Sequence, residues 1–334
     1  MNLLVTGGAG FIGSNFIRYW LAKYHSDKII NLDSLTYAAS LASLDDVKAN
    51  YNSRYSFVKA NISERELIVN LIRKENIDIV VNFAAESHNS RAIVNPAIFF
   101  ETNVLASQQL LEACKITETR IHHVSTCEVY GDLALNSSDS FAEDYPYKPN
   151  TPYNASKAST DLLVNSYYKT FGLKTTISIC SNNYGPFQNP EKLIPLFISN
   201  ALQDKPLSLY KSSHNKREWL HVNDHCNAID LIIHHAEIGA KYNIGSSLEK
   251  SVEEISDIIL TSLNKPKSLK KYVPDRPGHD RRYLLNSSKI KKELGWQSKI
   301  SFEQGIQETI NWYVNNPKWW QNLKEKAKLQ EDNW

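Results

Sequence analysis

Two residues in this chain are spaced for proton transfer. Tyr153 and Lys157, in Tyr153-Asn154-Ala155-Ser156-Lys157, stand one helical turn apart, so their side chains share a helix face. A free phenol, with a pKa of about 10, is a poor base at neutral pH. A lysine ammonium on the same face favours the phenolate and makes the tyrosine usable as a base. A second cluster, Ser125-Thr126-Cys127-Glu128-Val129-Tyr130-Gly131, follows the apolar run Ile121 to Val124. It places a hydroxyl, a thiol and a carboxyl at the end of an expected buried strand. A thiol with a pKa of about 8.5 is mostly protonated at neutral pH, so Cys127 can donate a proton, although it is a weaker acid than a carboxyl.

These groups need a scaffold, and the chain alternates short apolar runs with amphipathic ones. Strands are expected at Asn2–Thr6, Lys28–Asp33, Tyr55–Ala60, Ile77–Ala84, Arg120–Thr126 and Thr175–Ser181, with another near Lys241–Ile244. Helices are expected at Phe11–Tyr24, Glu64–Lys74, Ala97–Cys114 and Thr160–Phe171. Near-continuous apolar strands alternating with helices argue an α/β fold, a Rossmann-type doubly wound parallel sheet covered on both faces. After about Asn182 prolines break the pattern. Residues 1–182 are therefore read as a dinucleotide-binding domain carrying the catalytic residues. Residues 183–334 are read mainly as a smaller substrate lobe, partly interleaved, with some strands returning to the sheet. The tail from Pro317 to Trp334 either packs as a last helix or frays.

Thr6-Gly7-Gly8-Ala9-Gly10-Phe11-Ile12-Gly13 joins the first strand to the first helix. Gly7, Gly10 and Gly13 allow the tight turn, the close approach of a pyrophosphate and the helix–strand packing that a dinucleotide site needs. Asp33 ends the next strand 20 residues after Gly13, the position that binds adenosine ribose hydroxyls. Its charge repels a 2′-phosphate, and Ser34-Leu35-Thr36-Tyr37 offers no arginine to receive one, so NAD is expected rather than NADP.

Composition excludes other classes. With 38 basic and 36 acidic residues, the net charge of +2 gives no electrostatic case for nucleic acid. No apolar run approaches the ~18–20 residues of a membrane span. Cys114, Cys127, Cys180 and Cys226 share no metal-ligand spacing, and the chain opens directly on a strand without a targeting segment. No metal and a reducing, cytoplasmic setting are expected.

Beyond these features the chain resembles the extended short-chain dehydrogenase/reductases, and within them the dTDP-glucose 4,6-dehydratases, over nearly its whole length. The resemblance rests on Thr6–Gly13, Leu32–Ala38, Val81–His88, Thr102–Val104, Ser125–Asp132, Tyr153–Asp161, Ser181–Pro186, Pro190–Pro195, Arg217–His225, Tyr242–Gly245 and Asp275–Arg282. It implies a lyase that oxidises C4 of a nucleotide-linked glucose, eliminates water across C5 and C6, and returns the hydride to C6, with NAD tightly bound and regenerated. By resemblance Tyr153 is the base at the C4 hydroxyl, Lys157 holds the nicotinamide ribose, Thr126 bonds the C4 oxygen and Glu128 takes the C5 proton. The implied NAD shell includes Phe11, Ile12, Asp33, Leu35, Thr36, Asn61, Ile62, Ala84, Ala85, Ser87, Thr102, Tyr153, Lys157 and Asn183. The implied substrate shell includes His88, Thr126, Asn182, Lys192, Leu193, Tyr210, Arg217, Asn243, Arg276 and His279. Arg217 and Arg276 suit diphosphate oxygens. A homodimer is implied too, with Ala97–Cys114 and Thr160–Phe171 forming a four-helix bundle with their mates.

The chain departs from the family pattern at several positions. Cys127 replaces the aspartate that protonates the departing C6 hydroxyl, and Asn61 replaces an aspartate at the adenine. Asn89-Ser90 stands where Val-Asp is common, Glu218 replaces an aspartate, and Lys211-Ser212-Ser213 replaces a glycine-bearing turn. Cys127 leaves three readings open. Dehydration of dTDP- or UDP-glucose proceeds with Cys127, Glu128 or water as the acid. Alternatively the protein stops at C4 oxidation or acts as a 4-epimerase. In the third reading it only binds NAD or a nucleotide sugar.

Overall fold

The computed structural model describes residues 1–327. Seven strands form one parallel sheet: β1 (Asn2–Thr6), β2 (Lys28–Asp33), β3 (Tyr55–Lys59), β4 (Ile79–Asn82), β5 (Arg120–Thr126), β6 (Thr175–Cys180) and β10 (Lys241–Ile244). Their order is β3-β2-β1-β4-β5-β6-β10, so the chain winds outward from β1 in both directions. This is the dinucleotide-binding order extended by one strand, with its switch point between β1 and β4. β10, from the second half of the chain, joins the sheet edge beside β6.

Alternation along the strands explains the two covered faces. Leu3 and Val5 point to one side, where Phe16 and Trp20 of the helix Phe11–Lys23 meet Ile229 of the helix Val222–His235. Leu4 and Val80 point to the other, among Ile68, Leu110 and Val164. A third core lies beyond the sheet, where Tyr184, Phe197, Trp219, Ile255, Ile306 and Trp320 pack together. There β7 (Asn182–Tyr184), β9 (Lys216–His221) and β11 (Glu249–Ser251) form a small sheet, and β8 (Leu207–Tyr210) pairs with β12 (Lys270–Val273).

Two helices differ from expectation where they reach the cleft. The helix expected at Thr160–Phe171 starts at Pro152, because Thr151 caps it by accepting the Asn154 N–H and Pro152 occupies its first turn. The helix expected at Ala97–Cys114 is interrupted by a π-helical stretch, Glu101–Ala106. Thr160 Oγ1 donates to the Asn103 carbonyl at 2.6 Å, satisfying a backbone oxygen in that stretch. Asn103 itself bonds the Glu86 N–H and C=O and the Ser156 hydroxyl, tying the loop after β4 to the helix that carries Tyr153. The last helix is Pro317–Ala327; Trp320 is buried in it, and Trp334 lies outside the described residues.

Candidate active site

A single cleft runs along the carboxyl ends of β1, β4, β5 and β6. Its wall includes Gly7, Gly10, Phe11, Ile12, Gly13, Asp33, Ser34, Thr36, Asn61, Ile62, Ala84, Ala85, Ser87, Thr102, Thr126, Glu128, Tyr153, Lys157, Asn182, Asn183 and Lys192. Side chains spread over nearly two hundred positions of sequence therefore meet at one place. Leu35 is outside this wall. Its φ of +57° turns it toward a surface hollow beside Trp319 and Leu323.

The glycine turn is built for close approach. Gly7 has a φ of +69°, and a Cβ there would stand 2.6 Å from the Ala84 nitrogen. Only glycine lets the first turn pack against the loop after β4 and leave a phosphate-sized cradle at the helix N-terminus. Asp33 is held at the far end. Its Oδ2 accepts from the Ala9 N–H at 2.9 Å and its Oδ1 from the Leu35 N–H at 2.8 Å. Burial pushes this carboxyl up from its usual range, opposed by those two donors. Asn61 sits nearby with its carbonyl oxygen accepting from the Ser63 N–H, which leaves one lone pair for another donor. These residues fit a dinucleotide.

At the reacting end, Tyr153 hydrogen-bonds Thr126. Burial pushes its phenol well above 10, with the Glu128 carboxyl adding to the effect and the Thr126 hydroxyl opposing it. Lys157 lines the same cleft as Tyr153. Its Nζ donates to the Val124 carbonyl at 2.8 Å and lies 3.3 Å from His123 Nε2. Burial lowers its pKa, and the Asp161 carboxylate works against that.

His123 and Asp161 were not singled out from sequence, yet they complete a buried row beneath the cleft. Thr6 Oγ1 donates to Asn82 Oδ1 at 2.6 Å, and Asn82 Nδ2 meets His123 Nδ1 at 3.1 Å. His123 Nε2 lies 3.6 Å from Asp161 Oδ1. Ser125 Oγ and Tyr147 hold the other Asp161 oxygen, and burial raises this carboxyl to about 6. The available signal was polar residues inside apolar strand runs, since buried polar groups need partners.

On the substrate side, cations converge. Arg217 is buried and donates to the main-chain carbonyls of Lys216, Asp280 and Arg281. Lys192 donates to the Ser87 carbonyl at 2.5 Å. Arg276 Nε, His88 Nδ1 and Asn182 Oδ1 are buried polar atoms with no hydrogen-bond partner among the described residues, as expected of groups shaped for a ligand. Burial, with Lys192 beside it, lowers the pKa of His88 and keeps it neutral. The rings of Tyr210 and His279 pack 5.0 Å apart, and burial lowers the His279 pKa to about 4. Two further expected substrate residues stand in packed surroundings. Asn243 is fully buried, accepting from Tyr130 and donating to the Phe141 carbonyl. Leu193 starts the helix Leu193–Leu202 and packs against the third core.

Cys127 is 1% exposed, packing in the sheet core beside Glu128. Burial raises its thiol well above 9, with Glu128 adding to the shift.

Residues 4–309 match the GDP-mannose 4,6 dehydratase family. The chain is 45% identical to the dTDP-glucose 4,6-dehydratase of Haemophilus influenzae, covering 95% of this chain and 98% of that protein. The chain belongs to the nucleotide-sugar 4,6-dehydratases. Members of this family are NAD-using lyases of the extended short-chain dehydrogenase/reductase superfamily. Among solved structures, the dTDP-glucose 4,6-dehydratase DesIV of Streptomyces venezuelae, solved with NAD bound, shares 46% identity. The two superpose with a TM-score of 0.93 over 97% of this chain and all of that one. A UDP-glucose 4-epimerase of Thermotoga maritima superposes at 0.87 but shares 25% identity, covering 95% of this chain and all of that one.

Proposed function

We propose that this protein dehydrates dTDP-glucose to the 4-keto-6-deoxy sugar, with NAD regenerated in each turnover. The observation that carries this reading is Glu128 in one cleft wall with Thr126 and Tyr153. An epimerase needs groups at C4 only, whereas a carboxyl beside that pair supplies the base at C5 that elimination demands. Relatives at 45–46% identity named for the dTDP sugar support that nucleotide over UDP.

When bound, NAD supplies a hydride acceptor for C4, a hydride donor for C6 and a positively charged ring. The Gly7–Gly13 turn and Asp33 hold its phosphates and adenosine ribose, and Lys157 holds the nicotinamide ribose. Tyr153 takes the C4 hydroxyl proton while Thr126 donates to that oxygen. Glu128 takes the C5 proton, which the 4-keto group has made acidic. Arg217, Arg276 and Lys192 balance the diphosphate. Cys127 stands at the position of the family's acid.

The protein works as a homodimer in a reducing, cytoplasmic setting. Ile98, Phe100, Leu105, Leu162 and Phe171 are exposed apolar side chains on the two helical segments expected to pair, and all four cysteines are buried and unpaired. No helix among the described residues is long and apolar enough to cross a membrane. Side-by-side turnover of dTDP-glucose and UDP-glucose, with products identified by NMR, tests the reading. A 4-keto-6-deoxy product formed preferentially from dTDP-glucose supports it; a galactose-configured product refutes it. Sedimentation as a monomer at micromolar concentration would remove the dimer.

A further inference from the structure

Glu128 is tied to a side chain that sequence reasoning gave no role. Asn89 Nδ2 donates to Glu128 Oε2 at 2.8 Å, and Asn89 Oδ1 accepts from Thr151 Oγ1 at 2.7 Å. Thr151 is the cap of the catalytic helix, and its hydroxyl oxygen accepts the Asn154 N–H. With that oxygen facing the helix N–H, the Thr151 proton goes to Asn89 Oδ1, which leaves the amide N–H for Glu128. One Glu128 oxygen is thus fixed relative to the helix that carries Tyr153 and Lys157. Valine, common at this position in the family, has no donor to offer. Meanwhile Cys127, beside Glu128, is buried, and that burial holds its thiol protonated, well above its ordinary pKa.

We propose that Asn89 positions Glu128 so that this one carboxyl makes both proton transfers of the elimination, with Cys127 taking no part. The inference rests on the dehydratase reading above. The Glu128 carboxylate takes the C5 proton, and the C5–H electrons form an enolate with C4. The enolate collapses to the 4-ketone with a C5=C6 double bond as the C6–O bond breaks. The departing hydroxyl takes the proton just gained by Glu128 and leaves as water, so the carboxylate is restored. Hydride returned to C6 regenerates an enolate, and a solvent proton closes C5. That proton balances the one Tyr153 takes from the C4 hydroxyl and releases to solvent.

The surroundings suit a carboxyl that must both gain and lose a proton. Burial pushes Glu128 up and Asp280 adds to this, while the Asn89 hydrogen bond, Arg276 and Arg217 push it down. Lys192, Tyr153, Tyr283, Cys127 and Cys180 also face it. Removing the Asn89 donor tips this balance upward, so the acid limb of elimination moves to higher pH.

The test is single-turnover kinetics of the holoenzyme on dTDP-glucose with Asn89→Leu and Asn89→Asp, the second keeping the shape of the side chain. In both, elimination slows by roughly ten- to hundredfold, the size expected for a lost charge-assisted hydrogen bond. C4 oxidation, read as nicotinamide reduction, persists, so the 4-keto-glucose intermediate accumulates. The acid limb moves up by about one pH unit, and further in Asn89→Asp, where a second carboxyl faces Glu128. Elimination at the wild-type rate with an unmoved acid limb in both variants overturns the inference alone. Slowing of both steps together with an unmoved limb also overturns it, because it marks general damage. A wild-type protein that makes no 4-keto-6-deoxy sugar overturns the functional reading, and this inference falls with it.

Discussion

Gly7→Ala perturbs the cofactor turn in two separable ways. Gly7 has a φ of +69°, a left-handed conformation that costs a residue with a Cβ ~1–2 kcal/mol. The new Cβ would also stand 2.6 Å from the Ala84 nitrogen, 2.7 Å from its Cα and 2.8 Å from the Phe83 carbonyl carbon. These atoms are main chain at the end of β4, so no side chain can swing away. Overpacking of this kind adds ~1–3 kcal/mol. Gly172 is the matched control. Its φ is +68°, yet nothing lies within 4 Å of a Cβ built there. Gly172→Ala therefore carries only the backbone strain, ~1–2 kcal/mol, whereas Gly7→Ala carries ~2–5 kcal/mol. Equilibrium urea unfolding of the two variants measures the difference, and calorimetric titration with NAD measures its consequence. Because Ala84 and Ala85 line the cleft, Gly7→Ala also loses NAD affinity while Gly172→Ala keeps it. Equal destabilisation of the two variants, with wild-type NAD binding by Gly7→Ala, would refute the claim that the turn is shaped by its contact with the β4 loop.

Two further outcomes follow from burial. Cys127→Ala retains product formation within about threefold, whereas loss of a true general acid would cost ~10²–10⁴ in rate; steady-state kinetics decides between them. The protein loses stability as pH falls below about 6.5, because buried histidines stay neutral while their unfolded counterparts take up protons. His122 is the sharpest case: burial lowers its pKa to about 3, and its ring nitrogens meet Thr176 and Ser178 at 3.0 Å. A lowered histidine contributes stability that is present above its unfolded pKa and lost as pH falls toward the folded one. His122→Gln should flatten the stability–pH slope by up to ~1.4 kcal/mol per unit between those values, and parallel slopes for variant and wild type would count against the assignment.

Elements with local signals were legible in the sequence. β1, β2, β5 and β10 have the expected bounds, since each is a short apolar run with clear punctuation. The glycine turn and Asp33 carry a spacing that geometry imposes on any such site. The start of the helix at Pro152 has a readable signal, threonine followed by proline, eight residues before the expected start at Thr160. Other features have no local signature. The π-helical stretch at Glu101–Ala106 depends on Thr160, far along the chain, and β9 pairs with β7 and β11 across long separations. The roles of Asn89 and His123 come from partners that only the fold brings near. The burial of Cys127 and Asn243, which the family pattern places among the active groups, likewise depends on residues far along the chain.

The central claim is that a carboxyl in this cleft removes the proton at C5, which a solvent proton later replaces. Incubation with dTDP-glucose in D₂O, followed by NMR of the product, tests it most directly. The account predicts a 4-keto-6-deoxy sugar carrying solvent deuterium at C5, with Glu128→Gln forming at most the 4-keto sugar. A product without solvent deuterium at C5, or one that keeps its C6 hydroxyl and differs only at C4, would contradict it.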